Sequence, residues 1–284
     1  MSFTQEFNLL LKARYPIIYI TTIEEDRLEY TIRSCIKKNG NRGIYIWDFV
    51  EGYINNPNNN GIAKRNPLQA LEFIEKITPE TPAVFLLKDF NRFLTDVSIS
   101  RKLKNLIRIL KTQPKTIIIV APDVNIPNEF IDTITILEFQ LPQLNEIKKE
   151  LDRLIQSLNQ KIDNNVFESL VNSCQGLSLE RIRRVLSKII ALNKTLDNRS
   201  IELILKEKRQ IIYQTQILEF CLSENTISDI GGLKNLKNWL TQRAKSFSNR
   251  AKNYGLPAPR GLFLIGMQGT GKSLSAKAIA NDWQ

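Results

Sequence analysis

Residues 262–273 read Leu-Phe-Leu-Ile-Gly-Met-Gln-Gly-Thr-Gly-Lys-Ser, and this stretch decides the fold. The four apolar residues predict a strand, and Leu274–Trp283 predict a helix. Between them, Gly266–Ser273 fits the pattern Gly-x-x-x-x-Gly-Lys-Ser in full. An ordinary glycine-rich turn is the alternative, but here strand, loop and helix all stand in the required order. The stretch therefore indicates a phosphate-binding loop (Walker A) in an α/β fold.

The residue types of this loop suit phosphate chemistry. Glycines let the backbone curl so that its N–H groups point at phosphate oxygens, and the following helix adds its positive N-terminal end. Lys272 is expected to reach the β- and γ-phosphates, and the Ser273 hydroxyl is expected to bind Mg²⁺. The predicted ligand-binding residues of the loop are Gly266, Met267, Gln268, Gly269, Thr270, Gly271, Lys272 and Ser273.

Two segments upstream of the loop extend the pattern. Asp229-Ile230-Gly231-Gly232-Leu233 comes first and Pro257-Ala258-Pro259-Arg260-Gly261 follows. Together with the loop, they resemble the ordered opening of a AAA ATPase module. The resemblance implies ATP and Mg²⁺ as cofactors, ring-like oligomers and ATP-driven remodelling of a protein substrate of unknown identity. It also implies that Ile230, Gly231 and Leu274 line the adenine pocket. Family members often have Pro-Pro where this chain has Met267-Gln268.

Three further sequence segments are similar to one subgroup of AAA proteins. The Trp239–Arg243 region, Tyr254–Pro257 and Gln268–Leu274 resemble the AAA proteins of plastids and cyanobacteria known as a hypothetical chloroplast reading frame. This resemblance spans the whole chain, whereas the general AAA signal covers Asp229–Gln284. It implies a location in the plastid stroma, with the cytoplasm as the alternative.

The first two hundred residues alternate between strand and helix signals. Strands are predicted at 17–20, 44–47, 83–87, 116–120 and 133–139, with helices at 24–38, 67–77 and 100–110. Such alternation predicts a parallel sheet. After Leu141-Pro142 only helices are predicted, at 144–158, 164–173, 179–192 and from about 196 to 222.

These elements predict an α/β protein with a P-loop NTPase-like parallel sheet. Residues 1–222 are interpreted as a degenerate AAA domain, with an α/β core at about 7–142 and a helical lid at about 143–222. Residues 223–228 are a predicted linker, and 229–284 are the start of a second, ATP-binding AAA module.

The first domain has no phosphate loop after its first strand. The chain there reads Thr21-Thr22-Ile23-Glu24-Glu25-Asp26, and Thr22-x-x-Glu25 predicts a capping box on the next helix. Negative charge would then occupy the place of nucleotide phosphates. Further on, Asp89 fits a magnesium-binding position, but Phe90 stands where the family has its catalytic glutamate. We expect this domain not to bind ATP.

Composition excludes several other classes of site. The chain of 284 residues has no histidine and three cysteines, which excludes histidine-based triads and four-thiolate zinc sites. No run of residues is apolar enough for a membrane span. The net charge of +11 leaves a basic nucleic-acid-binding protein as an alternative, although Lys and Arg are spread along the whole chain.

Catalysis is expected to need more than this sequence contains. Walker B, sensor 1 and the arginine finger of a AAA module lie downstream of the loop, and the sequence ends 12 residues past Lys272. The second module is thus expected to be truncated and the chain alone to be inactive. A nucleotide-binding scaffold or regulator without turnover remains the other interpretation.

Overall fold

The computed structural model describes residues 2–40, 42–54, 60–158, 160, 162–193, 195–215, 226–247, 249–257 and 259–283. The chain divides into two compact units, Met1–Lys206 and Glu207–Gln284, and each is described by itself. The predicted domain boundary at Leu222 lies outside the described residues, as do residues 223–225 of the predicted linker. The predicted domain limits therefore stay a prediction.

A six-stranded sheet forms the middle of the first unit, in the order β3-β2-β4-β5-β1-β6. All neighbouring strands are parallel except β2 and β3. The predicted α/β architecture with a mostly parallel sheet is confirmed. The strands are β1 Ile17–Thr21, β2 Gly43–Asp48, β3 Gly52–Ile54, β4 Ala83–Lys88, β5 Lys115–Ala121 and β6 Thr135–Glu138.

Strand β3 was not predicted, and it makes one edge of the sheet antiparallel. Its three residues are too few for an alternating pattern to be recognised. The Asp48 carboxylate accepts hydrogen bonds from the N–H groups of Val50 and Glu51, which forms the turn into β3. Gly52 has φ +74°, and a Cβ there would lie 2.5 Å from the carbonyl oxygen of Ile62, so this turn requires glycine.

Helices cover both faces of the sheet. Helices α1 (Phe3–Lys12) and α2 (Glu25–Asn39) pack on one face, and α3 (Pro67–Lys76) and α4 (Val97–Leu110) pack on the other. Helix α1 was missed in the sequence, although Ser2 and Gln5 form a capping box at its start. The other three helices lie where the sequence predicts them. Strand β1 is buried on both sides, as expected for a central parallel strand.

Four helices follow the sheet. They are α5 (Leu144–Leu158), α6 (Asn164–Cys174), α7 (Leu179–Asn193) and α8 (Asn198–Thr215). The first three agree with the predicted segments, and α8 is described as far as Thr215. Their apolar faces bury Ile147, Leu151, Leu170, Val171, Cys174, Ile182, Leu186 and Ile189. None of the helices in the described ranges is long and apolar enough to cross a membrane.

Two predictions for the second unit are wrong. The helix expected to run to Tyr254 is interrupted, because α9 (Lys234–Ala244) and α10 (Asn249–Asn253) are separated by a short 3-10 helix at Lys245–Phe247. The strand expected at 262–265 is absent, and Phe263 and Ile265 are 85% and 84% exposed. A strand needs a hydrogen-bonded neighbour, and all strands among the described residues lie in the first unit. Helix α11 (Lys272–Asp282) agrees with its prediction.

Candidate functional site

The loop before α11 has the backbone that its glycines permit. Gly269 has φ +81° and Gly271 has φ +77°, and Gly271 is the residue that caps the start of α11. Residues with a Cβ are strained in this left-handed region. Both glycines are therefore required by the turn itself.

The side chain of Lys272 folds back across this loop. Its ammonium donates to the carbonyl oxygen of Gly266 at 2.7 Å and also to that of Met267, and it lies 3.5 Å from Thr270 Oγ1. A Cβ on Gly266 would approach Thr270 Oγ1 to 3.1 Å, so the loop closes tightly here. The loop thus holds a positive charge beside the N-terminal end of α11, where the helix dipole also favours an anion.

The first turn of α11 is open to solvent on one side. Ser273 and Leu274 are exposed, and so are Met267 and Gln268 in the loop. The opposite side of the helix is buried through Ser275, Ala278 and Ile279. The predicted magnesium ligand, Ser273, is therefore accessible to solvent.

A short 3-10 helix at Ile227–Asp229 contacts α11 and precedes the predicted adenine-binding residues. The Asp229 carboxylate accepts hydrogen bonds from the backbone N–H and hydroxyl of Thr226, at 2.7 and 2.8 Å. These bonds, the backbone one first, hold the pKa of Asp229 below its usual value. Ile230 is then buried and Gly231 is exposed. The structure brings this turn to the loop-bearing helix, and a pocket shared by Ile230 and Leu274 stays a prediction.

Aromatic residues join α9 to the far end of α11. The Trp283 ring lies 6.3 Å from that of Trp239 and 5.3 Å from that of Phe247, measured between centroids. The Arg243 guanidinium stands 5.6 Å from the Trp239 centroid. The Trp239–Arg243 segment therefore helps to position the helix that begins at Lys272.

The corresponding place in the first unit, where β1 leads into α2, is built differently from the prediction. The capping box of Thr22 and Glu25 is wrong. Thr22 Oγ1 accepts from the N–H of Glu24 at 3.0 Å, and Glu24 is the N-cap residue, but its side chain makes no capping hydrogen bond with the backbone of its helix. The physical reason is that the Glu24 carboxylate is used elsewhere: it accepts from the N–H of Leu179, at the start of α7, at 2.6 Å.

Arg27 completes this link between sheet and lid. Its guanidinium pairs with Glu24 at 2.8 Å and with Glu146 of α5 at 3.0 Å, and it donates to the carbonyl of Gln140. It also lies 4.2 Å from the ring centroid of Phe139. We call Glu24, Arg27, Glu146 and the Leu179 N–H the clasp. The clasp connects α2 directly to α5 and α7.

A cleft of about 1050 Å³ lies between α2, α5 and α7. Carboxylates predominate among its charged residues, which are Glu24, Glu25, Asp26, Glu146, Glu150, Asp152 and Glu180 against Arg27, Lys149, Arg153 and Arg183. Arg183 is paired with Glu150, and this hydrogen-bonded arginine lowers the pKa of the Glu150 carboxyl and so helps to keep it ionised. The cleft therefore offers a triphosphate more repulsion than attraction.

The strand β4 ends without a catalytic carboxylate. The Lys88 ammonium lies 3.3 Å from a carboxylate oxygen of Glu25 and 3.6 Å from one of Glu29. It therefore neutralises part of the negative charge on α2. Asp89 follows with φ +53°. Phe90, at the position of the expected glutamate, is fully buried with its ring 5.5 Å from that of Trp47. Within the described ranges, no group of three or more His, Cys, Asp or Glu residues is arranged to hold a metal ion.

Comparisons with known proteins agree with this architecture. Residues 3–139 match the model of the N-terminal domain of SpoVK-like AAA ATPases, and residues 145–215 match that of their second domain. The AAA domain-containing protein ycf46 of Trieres chinensis is 67% identical over 284 residues, and that of Guillardia theta is 60% identical over 283 residues. These matches cover 100% of this chain but 57% and 56% of the relatives, so the chain spans little more than half of their length.

Among solved structures, a RuvB variant from Thermotoga maritima superposes with a TM-score of 0.49 at 13% identity, covering 99% of this chain and 83% of that one. The family models and the ycf46 relatives confirm the resemblance on which the sequence interpretation rests. The chain belongs to the AAA-type ATPases and carries SpoVK-like domains.

Proposed function

We propose that the loop Gly266–Ser273 binds ATP together with Mg²⁺. The observation that carries this proposal is the position of the Lys272 ammonium, held over the loop beside the start of α11. Phosphate oxygens would replace the carbonyl oxygens of Gly266 and Met267 as its partners, in stronger charge-assisted hydrogen bonds. Ser273 would hold Mg²⁺, which neutralises phosphate charge. Ile230, Gly231 and Leu274 would contact the adenine.

The magnesium part of this proposal predicts a specific defect in Ser273→Ala. The variant should bind ATP almost equally with and without Mg²⁺, because the hydroxyl that ligates the ion is gone while Lys272 remains. The measurement is ATP affinity by calorimetry at matched ionic strength, with and without Mg²⁺. Ser246→Ala, which removes a hydroxyl bonded to the Arg243 carbonyl oxygen, is the control. An unchanged Mg²⁺ dependence in Ser273→Ala would contradict the assignment.

Wider roles follow from family membership as proposals. We propose that the protein acts in ATP-driven remodelling of a protein substrate, that it assembles with copies of itself, and that it works in the plastid stroma. The proposed arrangement is a degenerate AAA domain at 1–222, a linker at 223–228 and an ATP-binding module that begins at 229. The substrate class rests on the family alone.

We also infer that these 284 residues do not hydrolyse ATP by themselves. Phosphoryl transfer needs a held metal, an oriented water and stabilisation of the developing charge. Within these 284 residues, β4 is the strand that resembles one ending in a catalytic carboxylate, and Phe90 is buried at that position. Steady-state phosphate release should equal that of Lys272→Ala. Release by the parent that the variant lacks would show that a catalytic carboxylate exists in this chain.

A nucleotide-free scaffold role is favoured for the first domain. In this domain, the clasp joins α2 to the lid helices α5 and α7 through three side chains and the Leu179 N–H. The acidic cleft and the buried Phe90 support the same role. The domain would then act as a structural scaffold and contact other copies of the protein without binding a nucleotide.

A further inference from the structure

The strands of the first unit begin along one line. Gly43 pairs with Ala83, Ala83 with Lys115, and Ile17 with Ile117, so β2, β4, β5 and β1 start side by side. Helices α1 to α4 each run back to this edge of the sheet before the next parallel strand begins. Four helix ends and their short connections therefore meet at one surface, about 14 Å wide across three strand spacings.

This surface is rich in cations, and we call it the basic edge. Its members are Lys12, Arg14, Lys37, Lys38, Arg42, Lys76 and Lys111, all exposed except Arg42, which is half-buried. Glu80 and Asp132 are the carboxylates in the connections that enter the strands here. Within the part of the chain that the structure describes, none of the seven cations forms an ion pair with a carboxylate.

Helix dipoles explain only some of these charges. A cation in the last turn of a helix is stabilised by the dipole, which accounts for Lys12, Lys37, Lys38 and Lys76. Arg14 and Arg42 lie beyond the helices, in the connections. The Arg42 guanidinium donates to the Leu11 carbonyl at 3.4 Å. Burial first, and then the nearby charge of Arg14, lower the pKa of Arg42. The fold thus holds the like charges of Arg14 and Arg42 close together, and within the described residues neither is paired with a carboxylate, as expected of a surface for an anionic partner.

We propose that the basic edge binds the phosphate backbone of single-stranded nucleic acid. An aromatic residue belongs to the same edge: Tyr15 follows Arg14 in the connection between α1 and β1, and it is 40% exposed. Its backbone is fixed, because its carbonyl accepts from Thr116 Oγ1 at 3.0 Å. Unpaired cations beside an accessible aromatic ring are the combination that holds phosphates and stacks a base. An acidic protein would match the charge but would not use the ring. This proposal does not depend on ATP binding by Lys272.

The charge part is tested by fluorescence anisotropy of a labelled oligouridylate with the full chain. The double variant Lys37→Glu/Lys38→Glu should bind about tenfold more weakly or worse. Its slope of log affinity against log salt should fall by about 1.4, at about 0.7 per lost phosphate contact. The matched control is Lys149→Glu/Arg153→Glu, which reverses two exposed charges on α5 in the cleft. An equal loss in the control would overturn the proposal.

The ring is tested separately. Tyr15→Ala should weaken oligouridylate binding about tenfold and leave the salt slope unchanged, whereas Tyr15→Phe should bind as the parent does. Lys272→Ala should also bind as the parent does, which separates this surface from the phosphate loop. Loss of oligouridylate binding in Lys272→Ala alone would overturn the proposal. The proposal would also be overturned if the chain bound polyglutamate or phosphatidylserine vesicles but had no affinity for oligouridylate.

Discussion

Replacing Lys272 by alanine is expected to lower the affinity for ATP by about tenfold to a hundredfold. The ammonium is the charged side chain that the structure places over the loop, 2.7 Å from the Gly266 carbonyl oxygen. Charge-assisted hydrogen bonds contribute about 1.5–3 kcal/mol each, which corresponds to this range of affinity. The measurement is calorimetric titration with ATP and Mg²⁺, on this chain and on a protein of the relatives' full length.

Lys277→Ala is the matched control for this variant, because Lys277 is exposed on the same helix and takes no part in the loop. It should bind as the parent does. The same titration also tests the first domain. In Lys272→Ala, no ATP binding should be detected other than the weakened binding at the loop, since the cleft between α2, α5 and α7 is lined mainly by carboxylates. Equal affinity in Lys272→Ala and the parent would contradict the proposed site, and tight residual binding would contradict the scaffold role of the first domain.

The sequence alone was sufficient to predict the elements whose local residue pattern fits one type of secondary structure. The Ile17–Ile20 run is β-branched and buried on both faces, and only a central strand explains that pattern. The apolar stripe of α4, through Leu103, Leu106 and Leu110, likewise identified a packing helix. In the loop, the glycines were expected to let the backbone curl, and Gly269 and Gly271 both have a positive φ.

The errors arose where the outcome depends on distant partners. Thr22 and Glu25 have the spacing of a capping box, but the neighbouring Glu24 contacts the N–H of Leu179, which is 155 residues away in sequence. No local rule reveals such a contact. The apolar residues 262–265 read as a strand, yet a strand exists only with a neighbour to share its hydrogen bonds. Local propensity could not supply that neighbour.

Replacing Arg27 by alanine is expected to lower the free energy of unfolding of the first unit by about 3–5 kcal/mol, the usual cost of removing one partner from a buried ion pair. The side chains of Arg27 and Glu24 are 11% and 5% exposed, so the variant would leave the Glu24 carboxylate buried without its cation. It would also lose the contacts with Glu146 and the Phe139 ring. The measurement is urea-induced unfolding of the full chain.

The control for Arg27 is Arg184→Ala, which breaks an ion pair with Glu180 whose side chains are 69% and 77% exposed. Exposed pairs contribute little, so this variant should lose less than about 1 kcal/mol. The double variant Glu24→Gln/Arg27→Ala should be more stable than Arg27→Ala alone, because it removes the uncompensated charge and keeps an oxygen to accept from the Leu179 N–H. Hydrogen exchange at that amide should accelerate in Arg27→Ala, and ATP should not slow it. Two results would contradict the proposed role of the clasp as a link that takes the place of a nucleotide. One is a loss of unfolding free energy in Arg27→Ala no larger than that in Arg184→Ala. The other is slower hydrogen exchange at the Leu179 amide of Arg27→Ala when ATP is added.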